Sequence, residues 1–382
     1  MTHQICKLGI WDSTIPGITF DETGVSNYAK IQKRLMEDYP RGDKGHEEWI
    51  KIMDNIKANR KTNKYDCIVG VSGGTDSSYL LHILKKEYNI NPLAVNLDNG
   101  WNSEIAVANI KNMTSVLGVD LETYVIDYEE IKDLMRAYMK AGLPWIDVPT
   151  DIAIRSILYK MANKEKIKYI FTGQDFRTEG KQPTEWTYSD QRQLKYLHNR
   201  FGQVKLKTYP LVSIWQLLYL GYLKNIKLYS AFSFINYNKT KAQKYLKNKY
   251  NWQYYGEHHH ENLFTKFAIG YWMYEKFGID KRKITYSAQA LSGEILRDEA
   301  LKKINTKPYT ELEIGEDLNY ILNKLSFTKK EFEIIWNSPN KSFGDFPSYY
   351  HYFKKFHKYI WPIISKAVPI KPKIFYEIEE RE

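Results

Sequence analysis

Short apolar runs and longer amphipathic segments alternate along the chain from about residue 65 onward. Apolar runs of four to six residues predict strands near 66–71, 92–97, 121–126 and 168–173. The segments between them repeat apolar positions with helical spacing and predict helices near 77–88, 103–117, 128–141 and 151–166. Strands joined by helices form βαβ units, so the pattern predicts an α/β fold with a parallel sheet and helices on both faces.

The strand pattern fades beyond about residue 230, where Asn-, Lys- and Tyr-rich turns separate the remaining apolar segments. These segments predict helices near 239–249, 262–277, 289–303 and 329–337. The predicted organisation is an N-terminal segment with a helix (1–60), the α/β domain (61–230) and a mostly helical C-terminal region (231–382). Ligands of parallel sheets bind beyond the carboxyl ends of the strands, so the candidate binding loops are 72–77, 98–103, 127–129 and 174–192.

The loop after the first predicted strand reads Val71-Ser-Gly-Gly-Thr-Asp-Ser77. Its two glycines allow backbone N–H groups to approach a phosphate, and its Asp-Ser pair starts a helix whose dipole attracts anions. No lysine follows the glycines, which excludes the Walker A loop. A glycine-rich turn that only starts a helix is the alternative interpretation.

This loop resembles the PP-loop, Ser-Gly-Gly-x-Asp-Ser, of ATP pyrophosphatases such as GMP synthetase, asparagine synthetase and tRNA thiolases. The resemblance implies an adenine nucleotide alpha hydrolase-like fold that uses ATP and Mg²⁺, the metal being held by Asp76. The ATP-binding residues that it implies in this loop are Val71, Ser72, Gly73, Gly74, Asp76 and Ser77.

Two further strand ends carry candidate ligand-binding residues. Asp98-Asn-Gly-Trp101 follows the second strand and is similar to a loop beside the nucleotide in the GMP synthetase group, although Asn-Gly alone also favours a plain turn. We assign Asp98, together with Gly173 after the fourth strand, to the ATP site, and Trp101 to the substrate site.

The loop after the fourth predicted strand carries four charges between Asp175 and Lys181. Arg177 and Lys181 are predicted to neutralise charge that develops on the α-phosphate of ATP. Glu179, like Asp175, is predicted to bind Mg²⁺ or to orient a sugar. The aromatic and polar residues that follow suit contact with a sugar ring, and they are Trp186, Tyr188 and Arg192. The alternative is a surface loop with internal ion pairs.

Three consecutive histidines, 258–260, precede Glu261 and Lys266. Consecutive side chains point in different directions, so the three histidines do not form a metal site by themselves. One of them is instead predicted to be a substrate contact or a proton shuttle. We assign His259 and Glu261 to the substrate and Lys266 to catalysis.

Composition places the chain among intracellular enzymes. Two cysteines in 382 residues exclude a disulfide framework. No apolar run approaches 18 residues and no signal pattern opens the chain, so we expect a cytoplasmic protein without a membrane span. The net charge of +11 is spread along the chain, which favours a lysine-rich surface and a pocket for anions over a nucleic-acid-binding patch.

The order of these blocks is similar to the bacterial N-acetyl sugar amidotransferases of lipopolysaccharide and nonulosonic-acid biosynthesis. The similar blocks span about residues 5 to 301 and include Pro16–Val25, the PP-loop, Asp98–Ser103, Phe176–Gly180, Trp186–Tyr188, Tyr254–Gly256, Phe264–Phe267 and Lys276–Arg282. The resemblance implies an ATP-dependent C–N ligase that converts a sugar N-acetyl group to an acetamidino group through an adenylated amide. The implied partners are an N-acetylated sugar or nucleotide sugar, a HisH-like glutaminase that supplies ammonia, and a HisF-like ammonia-channel subunit; self-association is left open.

The chain departs from that family at its N-terminus. The family usually has a zinc ribbon there, but the four ligand positions hold Cys6, Gly9, Ser26 and Ala29. One thiol does not hold structural zinc, so we expect a degenerate ribbon without the metal. A tRNA-modifying PP-loop enzyme, a thiolase or a lysidine-type ligase, is the alternative function, and a non-catalytic subunit that keeps the loop as a scaffold is a third.

Overall fold

A computed structural model describes residues 3–60, 64–256 and 260–382. Its centre is a sheet of five parallel strands in the order β3-β2-β1-β4-β5. The strands are β1 (Cys67–Gly70), β2 (Pro92–Asp98), β3 (Leu121–Val125), β4 (Tyr169–Thr172) and β5 (Lys227–Ser230). The predicted α/β class with a parallel sheet is confirmed, whereas β5 was not predicted.

Helices surround the sheet and make up most of the chain that follows it. They are α1 (Asn27–Asp38), α2 (Asp43–Ala58), α3 (Thr75–His82), α4 (Glu104–Leu117), α5 (Tyr128–Lys140), α6 (Val148–Lys164), α7 (Phe176–Glu179), α8 (Thr184–Thr187), α9 (Gln191–Phe201), α10 (Ile214–Tyr222), α11 (Lys239–Tyr250), α12 (Leu263–Phe267), α13 (Arg282–Leu291), α14 (Arg297–Ile304), α15 (Glu311–Lys324), α16 (Lys329–Asn337), α17 (Tyr350–Ile364) and α18 (Lys373–Arg381). Wider π turns continue α3 over Ile83–Glu87 and α12 over Ala268–Lys276, and 3₁₀ turns span Ala231–Ser233 and Phe343–Asp345.

Alternate residues of the strands enter two different hydrophobic clusters. Cys67 and Val69 of β1 pack with α2, α3, α4 and α11, whereas Ile68 packs with α6 and α10. This alternation follows from the two-residue period of a strand. Helices therefore cover both faces of the sheet, as predicted.

The predicted helices agree with the structure except near residues 289–303. That range holds parts of two helices, α13 and α14, because Gly293 interrupts it with a φ of +77°. Glycine adopts this left-handed conformation without the steric cost that other residues have. None of the described helices is long and apolar enough to cross a bilayer.

The N-terminal segment and the C-terminal helices share one core that includes Cys6, Tyr28 and Tyr376. Helix α18 packs on α1. Glu377 of α18 accepts hydrogen bonds from Tyr28 Oη and from Thr184 N, each 3.1 Å long. Helix α18 therefore connects α1 to the segment that follows the charged loop after β4.

A tryptophan ring fills the centre of the N-terminal segment. Cys6 Sγ accepts a 3.3 Å hydrogen bond from Ser26 N, and Trp11 is 1% exposed. A Cβ on Gly9 would lie 2.6 Å from two atoms of the Trp11 ring. The indole thus occupies the space into which a ligand side chain at position 9 would extend.

We expect the purified protein to contain no stoichiometric zinc. Only one of the four ribbon positions carries a thiol, and tetrahedral structural zinc requires four nitrogen or sulfur ligands. Elemental analysis of protein dialysed against a chelator-free buffer measures this directly. A content of about one zinc per chain would contradict the assignment of Cys6, Gly9, Ser26 and Ala29 as a degenerate ribbon.

Candidate active site

The loop between β1 and α3 lies at the carboxyl end of the central strand. Gly73 has a φ of +78°, and a Cβ there would lie 2.2 Å from Ala106 O. Only glycine fits this position, because both the backbone conformation and the approach to α4 exclude a side chain. The loop is therefore held close to the start of a second helix.

Side chains hold the backbone of the β1–α3 loop by hydrogen bonds. Gly73 O accepts hydrogen bonds from Asn109 Nδ2 (3.2 Å) and Trp252 Nε1 (3.1 Å). Ser77 Oγ accepts from Ser72 N (3.2 Å), and Ser72 Oγ accepts from Gly74 N (3.3 Å). The two serines thus brace the loop from within, so that its conformation is set before any ligand binds.

Asp76, in the first turn of α3, is contacted by two residues that the sequence did not suggest. Tyr237 Oη donates a hydrogen bond to Asp76 Oδ1, and Lys239 Nζ lies 3.6 Å from Asp76 Oδ2. Burial lowers the pKa of Lys239, but the carboxylates of Asp76, Glu261 and Glu179 outweigh it and hold the pKa above its usual value. The site therefore contains a fixed cation beside the loop.

A segment from the C-terminal region covers the loop. Ser103 N and Leu263 N donate 2.9 Å hydrogen bonds to Glu261 O and Trp101 O, which ties residues 261–263 to the loop after β2. Glu261 Oε1 lies 3.4 Å from Ser72 Oγ, and Tyr255 Oη accepts from Thr75 N at 3.3 Å. Burial raises the pKa of Glu261 to about 7.

Gly173, after β4, closes the other side of the loop. A Cβ on Gly173 would lie 2.8 Å from the carbonyl carbon of Asp76. Two residues further on, buried Asp175 pairs with Arg41 Nη2 at 2.8 Å, and Glu294 lies 3.4 Å from Arg41 Nη1. Arg41 therefore joins the β4 loop to the turn between α13 and α14.

A second polar cluster contains Lys281, Trp145 and Asp151. Lys281 Nζ lies 4.3 Å from the centre of the Trp145 ring, and Trp145 Nε1 donates a 2.7 Å hydrogen bond to Asp151. Burial lowers the pKa of Lys281 to about 8, against the opposing effect of Asp151, Glu179 and Asp147. Asp151 is exposed to solvent, so this cluster reaches the protein surface.

Glu179 connects the two clusters. Its carboxylate acts electrostatically on Lys239 beside the loop and on Lys281 in the second cluster. Burial raises the pKa of Glu179, and the charge of Lys373 opposes this effect only in part. The predicted site residue Glu179 therefore interacts electrostatically with a lysine of each cluster.

Asp147 is a buried carboxyl group at the start of α6. It is 2% exposed, and its Oδ2 accepts a 2.5 Å hydrogen bond from Thr265 Oγ1. No hydrogen-bond partner of Oδ1 is found in the described part of the chain. Burial and the nearby charge of Asp151 raise the pKa of Asp147 to about 7, whereas Lys281 opposes this.

Replacing Asp147 by asparagine is expected to stabilise the protein above pH 7 but not below pH 4. The folded-state pKa of about 7 exceeds the reference value of 3.8, so folded wild type binds more protons between these values and loses stability as the pH rises. Over this pH range the free energy of unfolding of the wild type falls by about 4 kcal/mol at most. Urea unfolding at about pH 5 and pH 8 measures it, with the exposed Asp54→Asn as control. An equal stability difference at both pH values would contradict this pKa.

Three aromatic side chains predicted to contact substrate are buried instead. Trp101 is 0% exposed and packs on Phe264 in the core. Trp186 and Tyr188 are 4% and 9% exposed, and the cavity beside them, of about 10 Å³, has room for a single water molecule. Their rings are covered by protein, so the predicted stacking on a sugar is corrected to a packing role.

The predicted cations of the β4 loop and of α12 are engaged by partners away from the PP-loop. Arg177 Nη2 donates a 2.5 Å hydrogen bond to Tyr39 O, and burial followed by the charge of Arg41 lowers its pKa to about 10. Lys181 forms an ion pair with Glu377, and Lys266 lies 2.8 Å from Asp317. Each of the three predicted catalytic cations therefore has a protein partner in this structure, and their catalytic assignment stays a prediction.

The remaining predicted residues are distributed as follows. Arg192 is exposed and lies 5.8 Å from the ring centre of Tyr352, in the C-terminal region. Asp98 ends β2 and accepts a 2.9 Å hydrogen bond from Gly100 N. His258 and His259 lie outside the described residues. Burial and the charge of Lys266 lower the pKa of His260 to about 4, which makes this histidine neutral at pH 7.

Residues 261–359 match the family model of the LPS biosynthesis protein WbpG-like, C-terminal domain. The predicted resemblance to proteins of lipopolysaccharide biosynthesis is thereby confirmed. The uncharacterized protein MJ1599 of Methanocaldococcus jannaschii is 34% identical over 139 residues, which are 36% of this chain and 47% of that protein. The chain thus spans about half the length of this curated relative.

Solved structures of two synthetases and a thiolase are similar in fold. The match to NMN synthetase from Francisella tularensis (TM-score 0.32) covers 78% of this chain and 99% of that protein. The match to the NH3-dependent NAD synthetase from Campylobacter jejuni (TM-score 0.29) covers 82% of this chain and 98% of that protein. The match to the U34-tRNA thiolase NcsA from Methanococcus maripaludis (TM-score 0.31) covers 77% of this chain and 89% of that protein. Each is 14% identical to this chain, and TM-scores this low carry no argument about function.

The described residues fit a magnesium-bound triphosphate. A Cβ on Gly74 would lie 3.1 to 3.3 Å from Tyr255 Oη, Ser72 Oγ and Glu261 Oε1, so oxygen atoms line the space above this glycine. Hydroxyl groups donate to phosphate oxygens, and carboxylates such as Asp76 and Glu261 are the ligands that Mg²⁺ prefers.

Proposed function

We propose that this protein is an ATP-dependent amidotransferase that converts the N-acetyl group of a sugar or nucleotide sugar to an acetamidino group. One observation carries the proposal. Glu261, the first residue of the segment that matches the WbpG-like family, lies 3.4 Å from Ser72 of the PP-loop. The phosphate-binding loop and a segment typical of lipopolysaccharide biosynthesis therefore form one site.

The residues of this chain would promote the first half of the reaction by positioning ATP and by stabilising the charge that develops on its phosphates. The loop N–H groups near Gly73 and the hydroxyl of Ser72 hold the pyrophosphate of ATP, and Lys239 stabilises the negative charge that develops on it. Asp76 and Glu261 would hold Mg²⁺, which supplies charge neutralisation at the leaving pyrophosphate. The amide oxygen of the acceptor attacks the α-phosphorus, and pyrophosphate leaves.

We propose that the acceptor binds near the second polar cluster, where Asp151 is exposed and Lys281 is half-buried. The charge of Glu179 acts on Lys239 beside the loop and on Lys281 in this cluster. An amide oxygen is a poor nucleophile, so holding it in line with the α-phosphorus contributes several kcal/mol. Ammonia then attacks the activated carbon, and AMP leaves with the former amide oxygen.

We propose that a separate HisH-like glutaminase, with a HisF-like subunit as a channel, supplies the ammonia. A glutaminase nucleophile is an accessible thiolate. This chain has two cysteines, and both Cys6 and Cys67 are buried. Burial raises the pKa of the Cys67 thiol well above its usual value. The same observation disfavours the tRNA thiolase alternative, since such enzymes use reactive cysteines near the site.

The fate of the acetamido oxygen tests the proposal. The protein is incubated with ATP, Mg²⁺, ammonium chloride and UDP-N-acetyl sugars that carry ¹⁸O in the acetamido group, and AMP is analysed by mass spectrometry. We expect ¹⁸O in AMP and an acetamidino product, because the amide oxygen is transferred to the α-phosphorus. AMP formation that is stimulated by tRNA and independent of every N-acetyl sugar would replace this proposal by the tRNA-modifying alternative.

A further inference from the structure

Helices α10 and α17 each expose a row of large apolar side chains to solvent. Trp215 and Leu223 of the first row are 80% and 75% exposed, and Tyr359 and Ile363 of the second are 74% and 64% exposed. The rows follow helical spacing, so each occupies one side of its helix. Their members are Trp215, Tyr219, Tyr222 and Leu223 on or next to α10, and Tyr352, Phe356, Tyr359 and Ile363 on α17.

The two rows belong to one surface, which we call the α10/α17 face. Tyr222 Oη donates a hydrogen bond to Ile363 O. A Cβ on Gly221 would lie 2.7 Å from Ala367 Cβ, so α10 closely approaches the turn that follows α17. The opposite side of α17 is packed on the protein, where His357 is 2% exposed and contacts Phe375. The exposed row is therefore the unpacked side of an anchored helix.

The two segments that form this face carry lysines but no acidic residues. Residues 350–373 contain six lysines and no Asp or Glu, and residues 213–225 contain one lysine and no Asp or Glu. Lys358 pairs with Glu382, just after α18, at 2.8 Å, and Lys371 pairs with Glu379 of α18 at 2.7 Å. Lys354 and Lys355 on α17 and Lys366 just after it are exposed.

We propose that the α10/α17 face docks this protein on the surface of a bilayer that contains anionic lipids. Tryptophan and tyrosine rings prefer the interface between headgroups and acyl chains, whereas Leu223 and Ile363 enter its apolar part. Lysines beside them attract lipid phosphates. The two helices would lie in the interface plane, and no spanning segment is needed.

Other occupants fit this face less well. A second copy packed on the same face by two-fold symmetry would bring two lysine-rich segments against each other, and the carboxylates beside them, Glu379 and Glu382, already pair with Lys371 and Lys358. A nucleic acid would gain nothing from covering Leu223 and Ile363, since bases bind by stacking and hydrogen bonding. This inference is independent of the proposed amidotransferase reaction.

Sedimentation with lipid vesicles tests the proposal. The full chain is mixed with vesicles of phosphatidylcholine alone, or with added phosphatidylglycerol, and the pelleted fraction is measured at low and high salt. We expect binding to the anionic vesicles that weakens with salt, because exposed charges are screened. The double variant Leu223→Ser/Ile363→Ser should bind them roughly tenfold more weakly.

The chain offers a matched control for this variant. Leu312 and Ile334 are 75% and 64% exposed, the same values as Leu223 and Ile363, but they lie on α15 and α16. The variant Leu312→Ser/Ile334→Ser should sediment like wild type, and both variants should keep wild-type circular dichroism. Equal loss in both variants, or no vesicle binding by wild type, would overturn the proposal. A dimer in gel filtration that only the first variant dissociates would instead assign the face to a second copy.

Discussion

Replacing Asp76 by asparagine is expected to abolish AMP formation, with a loss of at least about a thousandfold in turnover. The substitution keeps the size of the side chain and removes the charge that would hold Mg²⁺ beside the leaving pyrophosphate. The fold should survive, because Asp76 is a partly exposed residue in the first turn of α3. ATP–pyrophosphate exchange in the presence of an N-acetyl sugar measures the effect.

The control is an acidic residue in the first turn of a neighbouring helix. Glu104 is exposed in the first turn of α4, so Glu104→Gln changes the charge at the same edge of the sheet without touching the loop. We expect it to retain wild-type exchange. If Asp76→Asn turned over as fast as Glu104→Gln, the PP-loop chemistry would not apply to this protein.

The central strands were predictable because β1, β2 and β4 are mostly buried in the sheet. Such strands are short apolar runs between amphipathic helices. The fourth predicted strand, β3, is mostly exposed, but it lies between the amphipathic segments of α4 and α5. The fifth strand reads Lys227-Leu-Tyr-Ser230, with a charged residue at one end, and it lies at the edge of the sheet. An edge strand is paired on one side only, and β5 has just four residues, two of them polar, so its apolar signal is weak.

Missing β5 also concealed part of the site. The residues that follow a strand of a parallel sheet reach its carboxyl edge, and here they include Tyr237 and Lys239. Had Lys227–Ser230 been recognised as a strand, the loop after it would have been searched for ligand-binding side chains. The sequence signal was the short Leu-Tyr pair followed by the Asn238 cap of α11.

For the charged loop after β4, the sequence did not reveal which residues form structural contacts. Its composition correctly marked a strand end, but charges alone do not reveal their partners. Lys181 pairs with Glu377, which is 196 positions away, and Arg177 donates to Tyr39 O, 138 positions away. Such long-range contacts arise only when α1 and α18 pack together. Loop residues that are free to act on ATP and those that hold the fold look alike in a single sequence.

Replacing Lys239 by methionine is expected to lower kcat for AMP formation by about a hundredfold to a thousandfold. Lys239 Nζ lies 3.6 Å from Asp76 Oδ2, and its side chain is 23% exposed, so it can face the triphosphate that the loop would hold. A cation that acts mainly on developing charge changes kcat more than KM for ATP. Steady-state kinetics over a range of ATP concentrations separates the two constants.

Two further variants distinguish catalysis from a structural role. Lys241→Met removes an exposed lysine from the same helix and should have wild-type kcat. Lys239→Arg keeps the charge but places it on a longer, planar group, so it should restore kcat only in part. A Lys239→Met protein with unchanged kcat but a lower Tm would show that this lysine only neutralises Asp76. In that case the cation that assists pyrophosphate departure must come from another element of the cleft, and Lys281, whose pKa is about 8, would be tested next.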